Sequence, residues 1–315
     1  MRDVELTGIS SVQHFLVDGL CICCMYLLAG AYSDSLGAIL TYNVLAFMSQ
    51  PLTGLIADRM VHRHWLLLSS ALLLTIAVAM ASLMPVADEW PLLSVAVLLG
   101  MGNSLFHVWG GKQTVVKMGN DIRALGVFVS TGVLGLAVGL VFCSWTLLYV
   151  LLLAIVLLSV AYVQLDDGSS KPVSASINRP AWLSPMKIWV AIVLLMFFVG
   201  YRSFAGELFS KGISKSQELI LIIAAVAMLG KVAGGWIARW VGILRSLMVI
   251  LAGGALCFLF RGDYVLVLLL GIFLMNLTMP ITLFLANEVL PGREGLAFGL
   301  LAAVLVPGYL LAIYL

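Results

Sequence analysis

A chain of 315 residues in which 63% of side chains are hydrophobic and 10% are charged has too little polar surface to coat a globule in water. Its formal net charge is only +2 and its mean hydropathy is +1.13, so it offers no basic face for nucleic acid and no soluble catalytic domain. The composition leaves a protein whose solvent is largely lipid.

About 20 apolar residues span a bilayer core as a helix. Eleven such runs can be drawn, at roughly 8–30, 35–57, 65–86, 91–111, 121–143, 145–164, 183–208, 215–238, 243–260, 263–287 and 295–315. Backbone groups in lipid must find partners within the chain, and the alternation of a barrel strand is absent, so the runs are read as helices. The expected fold is an all-α polytopic membrane protein. The first run has no strong basic segment before it and no clear cleavage site, so it is read as a retained helix.

In that first run His14 and Asp18 stand four apart on one helical face, beside Gln13. An imidazole and a carboxyl at this spacing form either a proton-handling pair or a polar pair that fixes packing. Ionisable groups at bilayer depth cost on the order of 2.5–3.5 kcal/mol, and Asp18 is the acid well inside the first six runs. Cys21, Cys23, Cys24, Cys143 and Cys257 all lie in apolar runs. "CICC" lacks further ligands nearby, so these are read as small core residues rather than a metal centre.

The second run ends in "QPLTGLIADRMVHRHW", which gathers Asp58, Arg59 and Arg63 with His62 and His64 into one turn. In the fourth, "GNSLFH" places Asn103 one turn before His107, with Gly100 and Gly102 nearby. His107 is either structural or part of a cavity. The fifth carries "TGVLGLAVGLV", whose Gly132, Gly135 and Gly139 form a seam for close helix packing. The stretch "QLDDGSSKPVSASINRP", residues 164–180, has the composition of a linker. It divides the chain into a six-helix half (1–164), a linker (165–182) and a second half of about five helices (183–315).

Within the second half, "FFVGYRSFAGE" embeds Arg202. It could neutralise Asp18, pair with Glu207, or hold an anionic solute with both prongs of its guanidinium. Lys231 lies eight residues before Arg239, so it lines an inner cavity or snorkels to the interface. The halves also echo each other. "QPLTGLIADR" (50–59) aligns with "KVAGGWIARW" (231–240), and "RALGVF" (123–128) with "REGLAF" (293–298).

Lysine and arginine favour the even-numbered turns, which hold Arg59, Arg63, Lys117, Arg123, Lys171, Arg179, Arg239, Arg245 and Arg293. Odd turns hold Lys211, Lys215 and Arg261, and the early ones, "GAYSDS" and "VADEW", hold none. The asymmetry puts the N-terminus and the linker in the cytoplasm. Trp65, Trp90, Trp145, Trp182 and Trp240 near the run ends fit the headgroup zone.

"GLIADRMVHRHW" resembles the loop between the second and third helices of the major facilitator superfamily, of form G-x-x-x-D-R-x-x-x-R, through Gly54, Asp58, Arg59 and Arg63. "QHFLVDG", "GNSLFH", "RALGVFVSTGVLGLAVG" and "LPGREGLAFGL" are similar to the fosmidomycin-resistance-type branch. The resemblance implies a bundle of two pseudo-symmetric halves and a conformational latch at Gly54, Asp58, Arg59 and Arg63. The same loop is also explicable as a topology signal that holds arginines inside. That superfamily has twelve helices, whereas this chain ends within the eleventh run.

Phosphate-binding loops and hydrolase motifs are missing, so the expected driving force is a gradient. The expectation is a monomeric inner-membrane secondary transporter, neither enzyme nor receptor, with no cofactor and no metal. It moves a small organic solute by alternating access, and the resemblance implies proton-coupled efflux. Proton-coupled uptake of an organic anion is the alternative. His14 and Asp18 would handle the proton, and Arg202, His107, Asn103 and Lys231 would line the solute cavity.

Overall fold

The computed structural model describes residues 2–31, 35–60, 64–83, 89–167, 185–210, 216–260 and 264–314. His62, Arg63 and most of the linker, 168–182, lie outside them. All regular structure among the described residues is helical. In chain order the helices are α1 (Arg2–Ala31), α2 (Leu36–Arg59), α3 (Trp65–Leu83), α4 (Glu89–Met118), α5 (Ile122–Val141) and α6 (Trp145–Leu165). After the linker come α7 (Pro185–Ser210), α8 (Gln217–Val241), α9 (Ile243–Leu259), α10 (Val265–Val289) and α11 (Glu294–Tyr314). Ten are long and apolar enough to cross a bilayer, and α9 is a shorter apolar helix.

Helix ends depart from the apolar runs where polar residues continue the helix. Both α1 and α4 have 30 residues, about 45 Å at 1.5 Å per residue, which exceeds a core of about 30 Å. Hydropathy marks what lipid covers, whereas main-chain hydrogen bonding carries these helices past it. Starts are fixed locally: the Ser144 and Ser216 hydroxyls accept the Leu147 and Leu219 N–H groups as N-caps.

Two helices are broken, each just before a proline. In α2 a π turn at Val44–Met48 precedes Pro51, whose ring has no N–H and would press on the carbonyl four residues back. The Ser49 and Thr53 hydroxyls bond Ser104 of α4 at 2.8 and 3.0 Å, tying the break in place. In α11 the regular turn stops at Ala303 and resumes at Leu305, two residues before Pro307.

Helices α1, α2, α3, α4 and α6 share an apolar core around Leu20, Leu74, Leu99, Trp109 and Tyr162. A second cluster, with Phe128, Val199, Ala286 and Phe298, joins helices from both sides of the linker. Outward faces stay greasy, with Leu157 of α6 and Phe197 of α7 among the exposed apolar residues. Helices on opposite sides of the linker meet chiefly as α2 against α11 and α5 against α8. These pairs frame the central groups described next.

Candidate functional site

Asp18 is buried between two histidines from different helices. Its Oδ2 lies 3.3 Å from His14 Nε2, one helical turn earlier, and its Oδ1 lies 3.4 Å from His107 Nε2 on α4. The three donor atoms are all within 4.8 Å of one another, close enough to share a cation. Each ring is anchored at its other nitrogen: His14 Nδ1 donates to the Phe128 carbonyl at 2.8 Å, and His107 Nδ1 to that of Asn103 at 2.9 Å. A carbonyl only accepts, so both Nδ1 atoms carry hydrogen and both Nε2 atoms face the carboxylate. With neutral rings, lone pairs oppose a negative charge. One added proton on either Nε2 turns that repulsion into a charge-assisted hydrogen bond.

The Asn103 amide completes the cluster, donating to Asp18 Oδ1 at 3.1 Å and reaching the Tyr42 hydroxyl at 3.4 Å. Tyr42 sits just before the π turn of α2, so the break aims it at α4. The rings of His14 and Phe128 stack at 4.8 Å between centroids, and His14 meets His107 edge-on at 4.6 Å. Glycine makes the room. A Cβ on Gly132 would strike His14 and Asp18, and one on Gly135 or Gly139 would strike the α1 backbone at Phe15 or Gly19. The seam on α5 therefore holds α1 close and leaves space for its two ionisable side chains.

Arg202 is 8% exposed, and its Nη1 has no hydrogen-bond partner. Neither Asp18 nor Glu207 pairs with it among the described residues, so the two neutralising partners open to it in sequence are not used. Lys231 of α8 lies within electrostatic reach of both Arg202 and Asp18, and of His107. The centre thus holds one carboxylate, two imidazoles, an ammonium and a guanidinium without a carboxylate of its own.

At the face carrying the α4–α5, α8–α9 and α10–α11 turns, helices from opposite sides of the linker are tied together. Asp58, at the end of α2, accepts the Gly295 and Leu296 N–H groups, each at 2.9 Å, at the start of α11. A carboxylate on a helix N-terminus meets free N–H groups and the positive end of the dipole. Lys112 of α4 donates to the Ala57 carbonyl at 2.7 Å and stands 3.3 Å from Asp58 Oδ1. Gly54 allows the approach, since a Cβ there would collide with the Gly295 carbonyl. Arg59 is exposed and makes no ion pair among the described residues, and Arg63 lies outside them. Among the described residues the basic partner of Asp58 is Lys112, which lies outside the loop motif.

The second crossing, α5 against α8, mirrors the first. A Cβ on Gly235 would strike the Ile122 carbonyl, as one on Gly54 would strike Gly295. Here the acid belongs to the receiving helix: Asp121 caps α5 by accepting the Arg123 N–H, and Arg123 also bonds its carboxylate. That side-chain bond holds the Asp121 carboxyl below its usual range. Arg123 lies 5.2 Å from the Trp236 ring of α8, and Asn120 donates to Glu288 of α10 at 2.9 Å.

No family model matches the sequence, and no curated protein matches it either. Solved structures do match. Among them is the crystal structure of the human organic anion transporter MFSD10 (TETRAN), at 14% identity and a TM-score of 0.68, covering 99% of this chain and 94% of that one. This likeness does not establish the fosmidomycin-resistance-type branch. The likeness extends over the whole bundle, and the chain has an all-α polytopic membrane fold similar to that of a major-facilitator transporter.

Proposed function

We propose that the chain is a secondary transporter that moves a small organic anion by alternating access and is driven by protons. The observation that carries this reading is Asp18 between two imidazoles whose free nitrogens face it at 3.3 and 3.4 Å. A proton added there is stabilised by three groups, and its loss leaves lone pairs against a charge. Arg202, with an unpartnered Nη1, and the nearby Lys231 supply a solute site that only an anion neutralises. The similar MFSD10 structure is of an organic anion transporter, which agrees with that charge.

Alternation follows from the two crossings. Asp58 on the α11 N-terminus closes one face, and separating α2 from α11 and α5 from α8 would open it. On the positive-inside reading this face is cytoplasmic. The proposal further takes the protein as a monomer in an inner membrane and, from the family resemblance, has the solute leave the cell as protons enter. Membership of the fosmidomycin-resistance-type branch belongs to the same proposal. The test uses purified protein in liposomes containing a pH-sensitive dye. A panel of organic anions should include one whose addition moves protons across the membrane, opposite to its own flux. Anion flux with no proton movement, at saturating anion, would remove the coupling.

A further inference from the structure

A second pair of reactive groups lies about one and a half turns along α1 from Asp18, outside the centre described above. Cys23 Sγ stands 3.2 Å from Cys143 Sγ, in the turn between α5 and α6. Each thiol points across the interface: Cys143 also reaches the Cys23 carbonyl at 3.2 Å, and Cys23 the Ser144 carbonyl at 3.6 Å. We propose that Cys23 and Cys143 are an oxidation site, a thiol pair that closes to a disulfide and ties α1 to the α5–α6 turn.

The backbone is already placed for it. One turn below, Gly139 packs onto the Gly19 carbonyl so closely that a Cβ would not fit, which holds α1 and α5 within bridging distance. Access comes from one side only. Cys143 is partly exposed, beside the exposed Phe142, whereas Cys21, Cys23 and Cys24 have no exposed surface. An oxidant therefore meets Cys143 first and Cys23 second.

In the reaction the two thiols lose two protons and two electrons as the sulfur–sulfur bond forms. A small disulfide accepts them and leaves as two thiols, or a diazene accepts them and leaves as a hydrazine. The cross-link joins residues 120 apart in sequence and restrains the unfolded chain. Both ends lie before the linker, so it crosses neither α2–α11 nor α5–α8 and leaves the gate free.

Purified protein is treated with diamide, denatured, alkylated with N-ethylmaleimide and weighed. Five alkylated cysteines before oxidation should become three after it, and a reductant should restore all five. The Cys21→Ser/Cys24→Ser protein should still lose two, Cys143→Ser should lose none, and the oxidised wild type should melt at a higher temperature. The wild-type digest, which needs no substitution, should contain a peptide spanning residues 23 and 143 in cross-link. Five alkylated cysteines after oxidation would overturn the assignment. So would equal thiol loss in Cys143→Ser. No readout here involves transport, so the proposal stands or falls apart from the proton-coupled reading.

Discussion

Asp18 owes its surroundings to three helices that no short window of sequence connects. His14 is legible because a spacing of four puts it on the same helical face. His107 and Asn103 are legible only as isolated polar groups in an apolar run, and their convergence on one carboxylate is a tertiary fact. Tyr42 carries no signal at all, because its aim depends on the π turn behind it. The other half of the centre gives a sharper residue-scale test. If Arg202 grips an anion through its fork, Arg202→Lys keeps the charge and loses the second prong. Equilibrium binding of the transported anion should weaken about tenfold or more, with folding intact by thermal melting. Unchanged affinity would reduce Arg202 to a counter-charge. In sequence, Glu207 and Asp18 are both plausible partners for this arginine. The structure uses neither: among the described residues Arg202 makes no ion pair, and its Nη1 has no hydrogen-bond partner.

At the scale of elements, the closed face is built from helix ends. Asp58 acts on main-chain N–H groups, so its role depends on where α11 begins rather than on which side chains α11 carries. That explains why charge patterning alone points to Arg59 and Arg63, while the contact partners are Lys112 and two amides. Replacing Asp58 with Asn sets an amide N–H against a main-chain N–H and removes the charge. The closed state should lose about 1.5–3 kcal/mol, a shift of roughly ten- to a hundredfold toward opening at this face. Spin labels at the exposed Arg59 and Arg293, in a cysteine-free background, should show longer distances in Asp58→Asn than in the parent. Identical distance distributions would leave the loop as a topology signal. Helix number and order are readable from hydropathy because lipid forces helices. Helix breaks are half-readable: Pro51 and Pro307 announce them, but whether the chain answers with a π turn or a short interruption is set by packing against α4 and α7.

Across the whole molecule, the protonatable cluster lies before the linker and the unpartnered cation lies after it, with Lys231 reaching toward both. A transporter built this way links proton loss from the Asp18–histidine cluster to anion binding at Arg202 through the same central space, while α2–α11 and α5–α8 decide which face is open. The central claim is that net proton movement runs through Asp18, and the most direct measurement is transport by Asp18→Asn in liposomes. The variant should exchange labelled for unlabelled anion down a concentration gradient, since exchange needs no net proton movement. It should fail to concentrate that anion when a pH difference is imposed, whereas the parent protein does so. If Asp18→Asn still concentrates the anion against its gradient under the same pH difference, Asp18 is structural and the coupling site lies elsewhere.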